Sequence, residues 1–355
     1  MSTSTRARPN ADPEFRDFAE LSARLGRDRL LVQAAGGNTS FKVGAVLWIK
    51  ASGTELSRAD RDDVFVPVAL AGVRAAIARG EEDPGRGQVV GDTALRPSIE
   101  LTVHVLMPDR VVLHVHSVNA LAWAIREDGR DRVAERLDGL AWAWVPYRRP
   151  GWPLTRAVQE VSGAAEARVL VLANHGLVVT GSDCASAERL LREVDRRLAV
   201  PPRAAPPPDL AALAALAADG GYRLPAHPGA HRLGTDPSCF TRAREGVPYP
   251  DHVVFLDPAP AVVEARGTES TVVARSQAWL AASPSHVLVE GAGVLVSRAS
   301  TPAAEAMLLC QADVLARTAG DARLRLLSAA ETQELQRWDA EKFRRALSAA
   351  TPPAQ

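Results

Sequence analysis

The chain has 355 residues, of which 46% are hydrophobic and 24% are charged, and its 42 basic and 42 acidic residues give a formal net charge of zero. This composition is typical of a globular protein with a sizeable core, and it provides no broad basic surface for nucleic acid or an anionic membrane. No apolar stretch approaches the roughly 20 residues of a membrane span, and the first residues lack the apolar core of a signal peptide. We therefore expect a cytoplasmic protein with no nucleic-acid or membrane partner.

A proline-rich segment divides the chain into two predicted domains. Residues 199–209 contain five prolines in ten consecutive positions and predict a semi-rigid linker. The linker separates a domain over 13–198 from a second, smaller domain over 210–348. The polar ends, residues 1–12 and 349–355, are expected to be disordered.

Helical and extended patterns alternate along the first domain, which indicates an α/β fold. In chain order the patterns predict a helix over 15–26, a strand over 46–50, a strand and a helix within 64–79, a helix over 97–107, a strand over 111–116, a helix over 120–125, strands over 168–174 and 177–180, and a helix over 185–198.

A short pattern occurs twice at a constant offset. The first copy is an apolar strand, the triplet Asn-His-Gly at 174–176 and a second strand, and a helix with Ala-Glu follows. The second copy has Gly-Ala-Gly at 291–293 between similar flanks. Either the second domain is a degenerate repeat that lost the histidine, or two ordinary α/β segments coincide.

Two histidines one residue apart in an apolar strand are the strongest chemical signal. His114 and His116 project to the same side of the predicted strand because side chains alternate between its faces. A divalent metal is the commonest reason to bring two imidazoles together, and a catalytic zinc needs a third ligand. His175, just before a glycine, is the candidate, although a single histidine in such a place is more often structural.

Glu100 and His104 are four residues apart on the predicted helix and therefore share a face. They form either an exposed ion pair, or Glu100 is a general base near the metal and His104 supports it or faces solvent. The sequence alone hardly separates these interpretations. Two stretches rich in glycine and hydroxyl residues, at 35–40 and 50–54, predict turns whose backbone N–H groups suit a phosphate or carboxylate.

Five motifs follow one another in the first 200 residues: Gly-Gly-Asn-Thr-Ser, Lys-Ala-Ser-Gly-Thr, Pro-Ser-Ile-Glu, His-Val-His and Asn-His-Gly. In this order they resemble the class II aldolase/adducin family, and the first two are most similar to its rhamnulose-1-phosphate aldolase-like branch. The resemblance implies a three-layer α/β/α class II aldolase fold, followed by a smaller α/β domain. It continues more weakly beyond the linker, and no fused dehydrogenase domain follows in this sequence.

Carried over residue by residue, the resemblance implies a catalytic acid/base at Glu100 and a zinc ion, or another divalent metal, held by His114, His116 and His175. It also implies a set of residues around the substrate phosphate. These are Gly37, Asn38, Thr39, Ser52, Gly53 and Ser98. Ile99 stands where some members have a second hydroxyl residue, and the tyrosine that some members take from a neighbouring subunit has no clear match except, as a guess, Tyr147.

The implied activity is zinc-dependent cleavage of a ketose, normally a ketose 1-phosphate, to dihydroxyacetone phosphate and an aldehyde through an enediolate. The implied assembly is a homotetramer that acts on a sugar or sugar phosphate. Alternatives are a dehydratase, decarboxylase or epimerase on a sugar or sugar acid, and a non-catalytic adducin-like interaction module. Schiff-base chemistry would require a lysine, for which Lys50 is the only plausible residue.

Overall fold

The structure is a computed structural model that describes residues 12–161, 163–218, 220–256, 260–264 and 284–339. Disorder was predicted for residues 1–12 and 349–355. Of these positions, only Asp12 belongs to the residues that the structure describes. Packing of the backbone divides the chain into two compact units. Among the described residues, the first unit comprises those within 12–116, 139–171 and 177–194, and the second comprises those within 117–138, 172–176 and 195–339.

The described strands form two sheets. The strands are β1 (Asn38–Val43), β2 (Val46–Lys50), β3 (Phe65–Ala69), β4 (Val111–Val115), β5 (Trp142–Val145), β6 (Val169–Leu172), β7 (Gly176–Gly181), β8 (Tyr222–Arg223), β9 (Ala261–Val263), β10 (His286–Val289) and β11 (Gly293–Ser297).

The described helices follow in chain order. They are α1 (Pro13–Arg27), α2 (Leu70–Ala78), α3 (Leu101–Leu106), α4 (Val118–Ala124), α5 (Gly129–Arg136), α6 (Trp152–Glu160), α7 (Cys184–Leu198), α8 (Leu210–Leu216), α9 (Arg232–Thr235), α10 (Pro237–Glu245), α11 (Pro250–Phe255), α12 (Pro302–Arg317) and α13 (Ala329–Arg337).

The larger sheet has seven strands in the order β3-β2-β1-β4-β7-β6-β5. Strand β4 lies between β1 and β7 and is antiparallel to both. Its register pairs His114 with Asn38 on one side and with Val178 on the other. All five residues of β4 are buried, which explains its nearly continuous apolar sequence.

Helices cover both faces of this sheet. On one face α1 brings Phe18 against Phe41 and Phe65, with ring centroids 5.5 and 4.8 Å apart. On the other face Leu47 and Ile49 of β2 pack in a cluster with residues of α2 and α3. Because side chains alternate along β2, the strand contributes to a separate core on each face of the sheet. The mixed α/β class predicted from the sequence is confirmed.

Several local features differ from the predictions, and no element was predicted at the positions of α5, β5 and α6. The helix expected from Pro97 begins only at Leu101, because the Ser98 N–H bonds to the Lys50 carbonyl and its Oγ accepts from the Glu100 N–H. These bonds hold residues 98–100 in a turn. Strand β1 was not predicted because its first three residues, Asn38 to Ser40, belong to the glycine- and hydroxyl-rich stretch over 35–40 that we interpreted as a turn.

The smaller sheet has the order β8-β11-β10-β9. Its β10–β11 hairpin matches the β6–β7 hairpin of the larger sheet, since each strand begins 117 positions after its counterpart. The turns also share a backbone conformation. Asn174 and Gly176 have φ of 55° and 150°, and Gly291 and Gly293 have 73° and 138°. Ala292 therefore occupies the position of His175 in an equivalent turn.

We predict that Phe18→Ala destabilises the first unit by about 3–5 kcal/mol, because it removes a fully buried ring and leaves a cavity among aromatic neighbours. Urea denaturation would measure the change. Leu210→Ala is the control, since half of the Leu210 side chain is exposed and its loss should change stability by less than about 0.5 kcal/mol. Equal effects of the two substitutions would contradict this description of the core.

Candidate metal centre and active site

Three buried histidines converge at one end of β4. His114 lies on β4, and His116 follows the strand's last residue. His175 lies in the turn between β6 and β7. Each side chain is nearly inaccessible, and one nitrogen of each ring lies within 4.8 Å of the others. Among the described residues, no other group of histidine, cysteine and carboxylate side chains has this geometry.

The tautomer of His114 is fixed by the neighbouring strand. Its Nδ1 lies 2.9 Å from the Leu177 carbonyl, which can only accept, so Nδ1 carries the proton and donates it. In a neutral ring the lone pair is then on Nε2. That atom lies 3.2 Å from His116 Nε2 and 3.2 Å from Glu100 Oε2.

This arrangement fits a divalent metal. A lone pair placed beside a carboxylate oxygen and a second ring nitrogen is electrostatically unfavourable unless a proton or another cation lies between them. Backbone carbonyls commonly orient metal-binding histidines through the nitrogen that does not bind the metal, as Leu177 does for His114. Three imidazole donors suit zinc and also its neighbours among the transition metals.

The turn that carries His175 is held by its preceding residue. Asn174 adopts a left-handed conformation, which an asparagine tolerates better than most side chains. Its Nδ2 donates to the Pro248 and Arg325 carbonyls, each at 2.7 Å. Its backbone N–H donates to the Ala124 carbonyl at 2.9 Å. These bonds fix the backbone immediately before the third histidine.

Glu100 is buried and not exposed as an ion-pair interpretation would require. It occupies the position just before α3, but its side chain does not cap that helix. Instead Oε2 accepts a hydrogen bond of 2.8 Å from Asn38 Nδ2. His104 is fully buried as well and bonds to Ser40 and Asn38. The interpretation of Glu100 and His104 as an exposed pair is therefore wrong.

Lys50 ties together the two glycine-rich stretches. Its Nζ donates to the Ala35 and Gly37 carbonyls at 2.8 and 3.1 Å, and its own carbonyl accepts from the Ser98 N–H at 3.0 Å. The Lys50 amino group is therefore committed to two backbone carbonyls and links the two stretches. This geometry counts against Lys50 as a Schiff-base nucleophile, which must present a neutral amine to the substrate.

The other residues expected around an anion lie in three connected segments. Gly37 and Gly53 have positive φ, of 59° and 77°, which their turns require. Ser52 and Ser98 lie on two segments joined by the bridge between Ala51 and Pro97. The Ser52 hydroxyl donates to the Pro97 carbonyl at 3.3 Å.

Thr39 is separated from the other expected substrate residues by the alternation of β1. Its hydroxyl bonds to Ser22 of α1 at 2.7 Å, on the face opposite to Asn38. Its side chain is fully buried there, so only its backbone can take part in the site. Tyr147, the guessed partner-subunit acid, is 7% exposed, and this burial counts against its delivery to a neighbouring subunit.

The remaining described histidines outside this cluster lie in separate environments. His231 Nδ1 accepts from the Val294 N–H, and His286 Nδ1 lies 3.0 Å from the Ser285 hydroxyl. His252 is buried against Tyr249, whereas His227 is exposed. In the described part of the chain, no helix combines the length and the apolar character that a membrane crossing demands.

Residues 16–200, just over half of the chain, match the family of the class II aldolase and adducin N-terminal domain. The chain therefore belongs to this family. A curated relative, the uncharacterized oxidoreductase YuxG of Bacillus subtilis (strain 168), is 30% identical over 174 residues. The match covers 44% of this chain and 25% of the relative, so the chain spans about a quarter of that protein's length.

Solved structures with similar domains include the N-terminal class II aldolase domain of a conserved protein from Thermoplasma acidophilum. It is 23% identical with a TM-score of 0.46, and the match covers 53% of this chain and 92% of that one. The L-fuculose-1-phosphate aldolase of Thermus thermophilus is 18% identical with a TM-score of 0.36, and the match covers 51% of this chain and 92% of that one.

We predict that His104 makes the metal-free protein sensitive to mild acid. Burial, with the nearby His114 adding to it, lowers the pKa of His104 to about 3, whereas an unfolded histidine has a pKa of about 6.5. The unfolded chain alone therefore gains this proton as the pH falls from 6.5 towards 3. The stability contributed by neutral His104 is complete above pH 6.5 and decreases through that window.

Urea denaturation at pH 7.5 and 5.0 would measure this effect. The wild-type protein should lose about 2 kcal/mol more than His104→Gln on this change of pH, because glutamine does not titrate. Equal losses would show that His104 takes up its proton in the folded protein too.

Proposed function

We propose that this chain is a metal-dependent aldolase, with zinc as the preferred metal. It would cleave a ketose, preferably a ketose 1-phosphate, to dihydroxyacetone phosphate and an aldehyde. The observation that carries this proposal is the convergence of three buried histidines beside a buried carboxylate, in a chain that belongs to the class II aldolase and adducin family. An interaction module would have no reason to bury these groups together.

In this proposal His114, His116 and His175 hold the metal. When bound, the metal supplies Lewis-acid polarisation of the substrate carbonyl and of its neighbouring hydroxyl. The chain supplies the fixed donor set, and the Leu177 carbonyl keeps the His114 tautomer correct for binding.

Glu100 is the proposed acid/base. In the cleavage direction the hydroxyl at C4 of the ketose gives its proton to the Glu100 carboxylate, which later delivers it to C3, while the bond between C3 and C4 breaks and the aldehyde leaves. The electron pair stays on the C3 fragment, which becomes dihydroxyacetone phosphate when C3 takes up a proton. Glu100, buried 3.2 Å from His114 Nε2, is placed to transfer the C3 proton in either direction.

The phosphate of the substrate would bind at the turns of the three connected segments. Asn38, Ser52, Gly53 and Ser98 are the proposed contacts, and Gly37 and Thr39 contribute backbone. The ammonium group of Lys50 lies beneath the first turn and adds positive charge to it without contacting solvent. This charge favours an anionic substrate in a chain whose net charge is zero.

Assignment within the family is also part of the proposal. The motifs favour the rhamnulose-1-phosphate aldolase-like branch over the fuculose-phosphate aldolases. We propose a cytoplasmic homotetramer in which the domain over 210–348 lacks a metal and contributes to subunit contacts or covers the site. We do not assign the oxidoreductase activity named for the B. subtilis relative to this chain, because the match covers only a quarter of that protein.

We predict that His114→Ala and His175→Ala each lose stoichiometric zinc, because two imidazoles remain where a stable site needs at least three protein ligands. Elemental analysis after dialysis against limiting zinc would show this loss. His227→Ala is the matched control, since that histidine is exposed and lies elsewhere in the chain. Full zinc occupancy in both of the first two variants would remove these residues from the metal site.

We predict that the zinc-loaded protein exchanges a C3 hydrogen of dihydroxyacetone phosphate with deuterium from the solvent. This half-reaction does not require the unknown aldehyde. Glu100→Gln should keep its zinc and lose at least about 100-fold in exchange rate, because the proton acceptor is absent. Proton NMR in D₂O measures the exchange, and unlabelled dihydroxyacetone phosphate after long incubation of zinc-loaded wild type would contradict the proposal.

Parallel reactions with free ketoses and sugar acids would separate the related activities. Loss of water or of carbon dioxide from a sugar acid, without exchange of dihydroxyacetone phosphate, would favour the dehydratase or decarboxylase alternative.

A further inference from the structure

A buried chain of polar side chains leads from β1 and α3 to the proposed acid/base. Asn38 and Ser40 are two residues apart on β1 and therefore project to the same face. His104 lies on α3 and contacts both of them: its Nε2 is 2.5 Å from Asn38 Oδ1, and its Nδ1 is 2.8 Å from Ser40 Oγ. Asn38 Nδ2 is 2.8 Å from Glu100 Oε2.

The chemistry of these groups fixes the direction of every hydrogen bond. A carboxylate can only accept, so the Asn38 amide nitrogen faces Glu100 and donates to it. The amide oxygen consequently faces His104 and must accept, which places the histidine proton on Nε2. Because the neutral ring has one proton, Nδ1 accepts from the Ser40 hydroxyl. Each group therefore donates to the next one in the series: Ser40 to His104, His104 to Asn38, and Asn38 to Glu100.

We propose that His104 is a positioning residue for Glu100. By donating to Asn38 Oδ1, it holds the carboxamide in the one orientation that presents an N–H to Glu100. Without this donor the carboxamide can rotate and place its oxygen beside the carboxylate, which would push Glu100 away from His114 Nε2. The inference rests on the proposed function, because it assigns the purpose of the chain to the acid/base.

This inference gives Asn38 a second role besides the phosphate contact implied by the family resemblance. One of its two amide protons is directed at Glu100, and the oxygen is directed at His104, so only the second amide proton remains for a substrate. The complete burial of His104 agrees with a role behind the site and not in contact with substrate. Residues of α3 and β1 would then set the geometry of the reaction.

Two conservative substitutions separate this role from a purely structural one. The amide nitrogen of His104→Gln can replace Nε2, so this variant keeps the donor to Asn38. The shorter side chain of His104→Asn reaches only the position of Nδ1, so it can bond to Ser40 but not to Asn38. Both variants keep a buried amide of similar polarity, and both should bind zinc at wild-type stoichiometry because the three metal-binding histidines are unchanged.

We expect the exchange rate of dihydroxyacetone phosphate at saturation to fall about 10–100-fold in His104→Asn and by less than about threefold in His104→Gln, with little change in KM in either. In a Glu100→Gln background, His104→Asn should have no further effect on the rate, since the group that it positions has been removed. Equal rates in the two variants, or an undiminished effect in the Glu100→Gln background, would overturn the proposal.

Two measurements decide the inference without activity, so that its failure differs from failure of the proposed function. Long-range ¹H–¹⁵N spectra of the histidine-labelled protein should show the Nε2–H tautomer at His104, and an Nδ1–H tautomer would overturn the proposal. Crystal structures of the two variants should keep the 3.2 Å distance from Glu100 Oε2 to His114 Nε2 in His104→Gln and lengthen it in His104→Asn. An unchanged distance in both would equally reject it.

Discussion

The antiparallel pairing of β4 with β1 and β7 is the constraint on which the candidate site depends. It places His114 opposite Asn38 on one side, and on the other side it brings the Leu177 carbonyl within hydrogen-bond distance of His114 Nδ1. A shift of the register by one residue would turn both histidines to the opposite face. The backbone ladder thus determines which nitrogen of His114 is protonated as well as where the ring lies.

The site also shows how a buried polar cluster can be kept within an apolar sheet. Glu100, His104 and Asn38 are removed from water, which is unfavourable unless each group finds a partner. Here donors and acceptors alternate in one direction, and the series ends at a carboxylate 3.2 Å from His114 Nε2. Such a network is stable only when every member is satisfied, and this requirement makes its geometry specific.

The α/β class and the grouping of the three histidines were predictable because they depend on strand periodicity and on short motifs. Strand β2 was predicted at its observed bounds, since Val-Leu-Trp-Ile-Lys has strong strand propensity. The hydrogen-bond partners of Lys50 and His104 could not be predicted, because they lie between 13 and 66 residues away along the chain. Only the folded sheet brings Ala35 to Lys50 and Asn38 to His104.

The left-handed turn before His175 makes the candidate site depend on distant parts of the chain. The Asn174 carboxamide bonds to carbonyls that lie 74 and 151 residues further along the chain, at Pro248 and Arg325. In the equivalent turn Gly291 reaches the same conformation with no side chain to anchor. The conformation of the turn that carries His175 is therefore tied to residues as distant as Arg325. A substitution far beyond the first 175 residues can then disturb the grouping of the three histidines, although all three lie within that stretch.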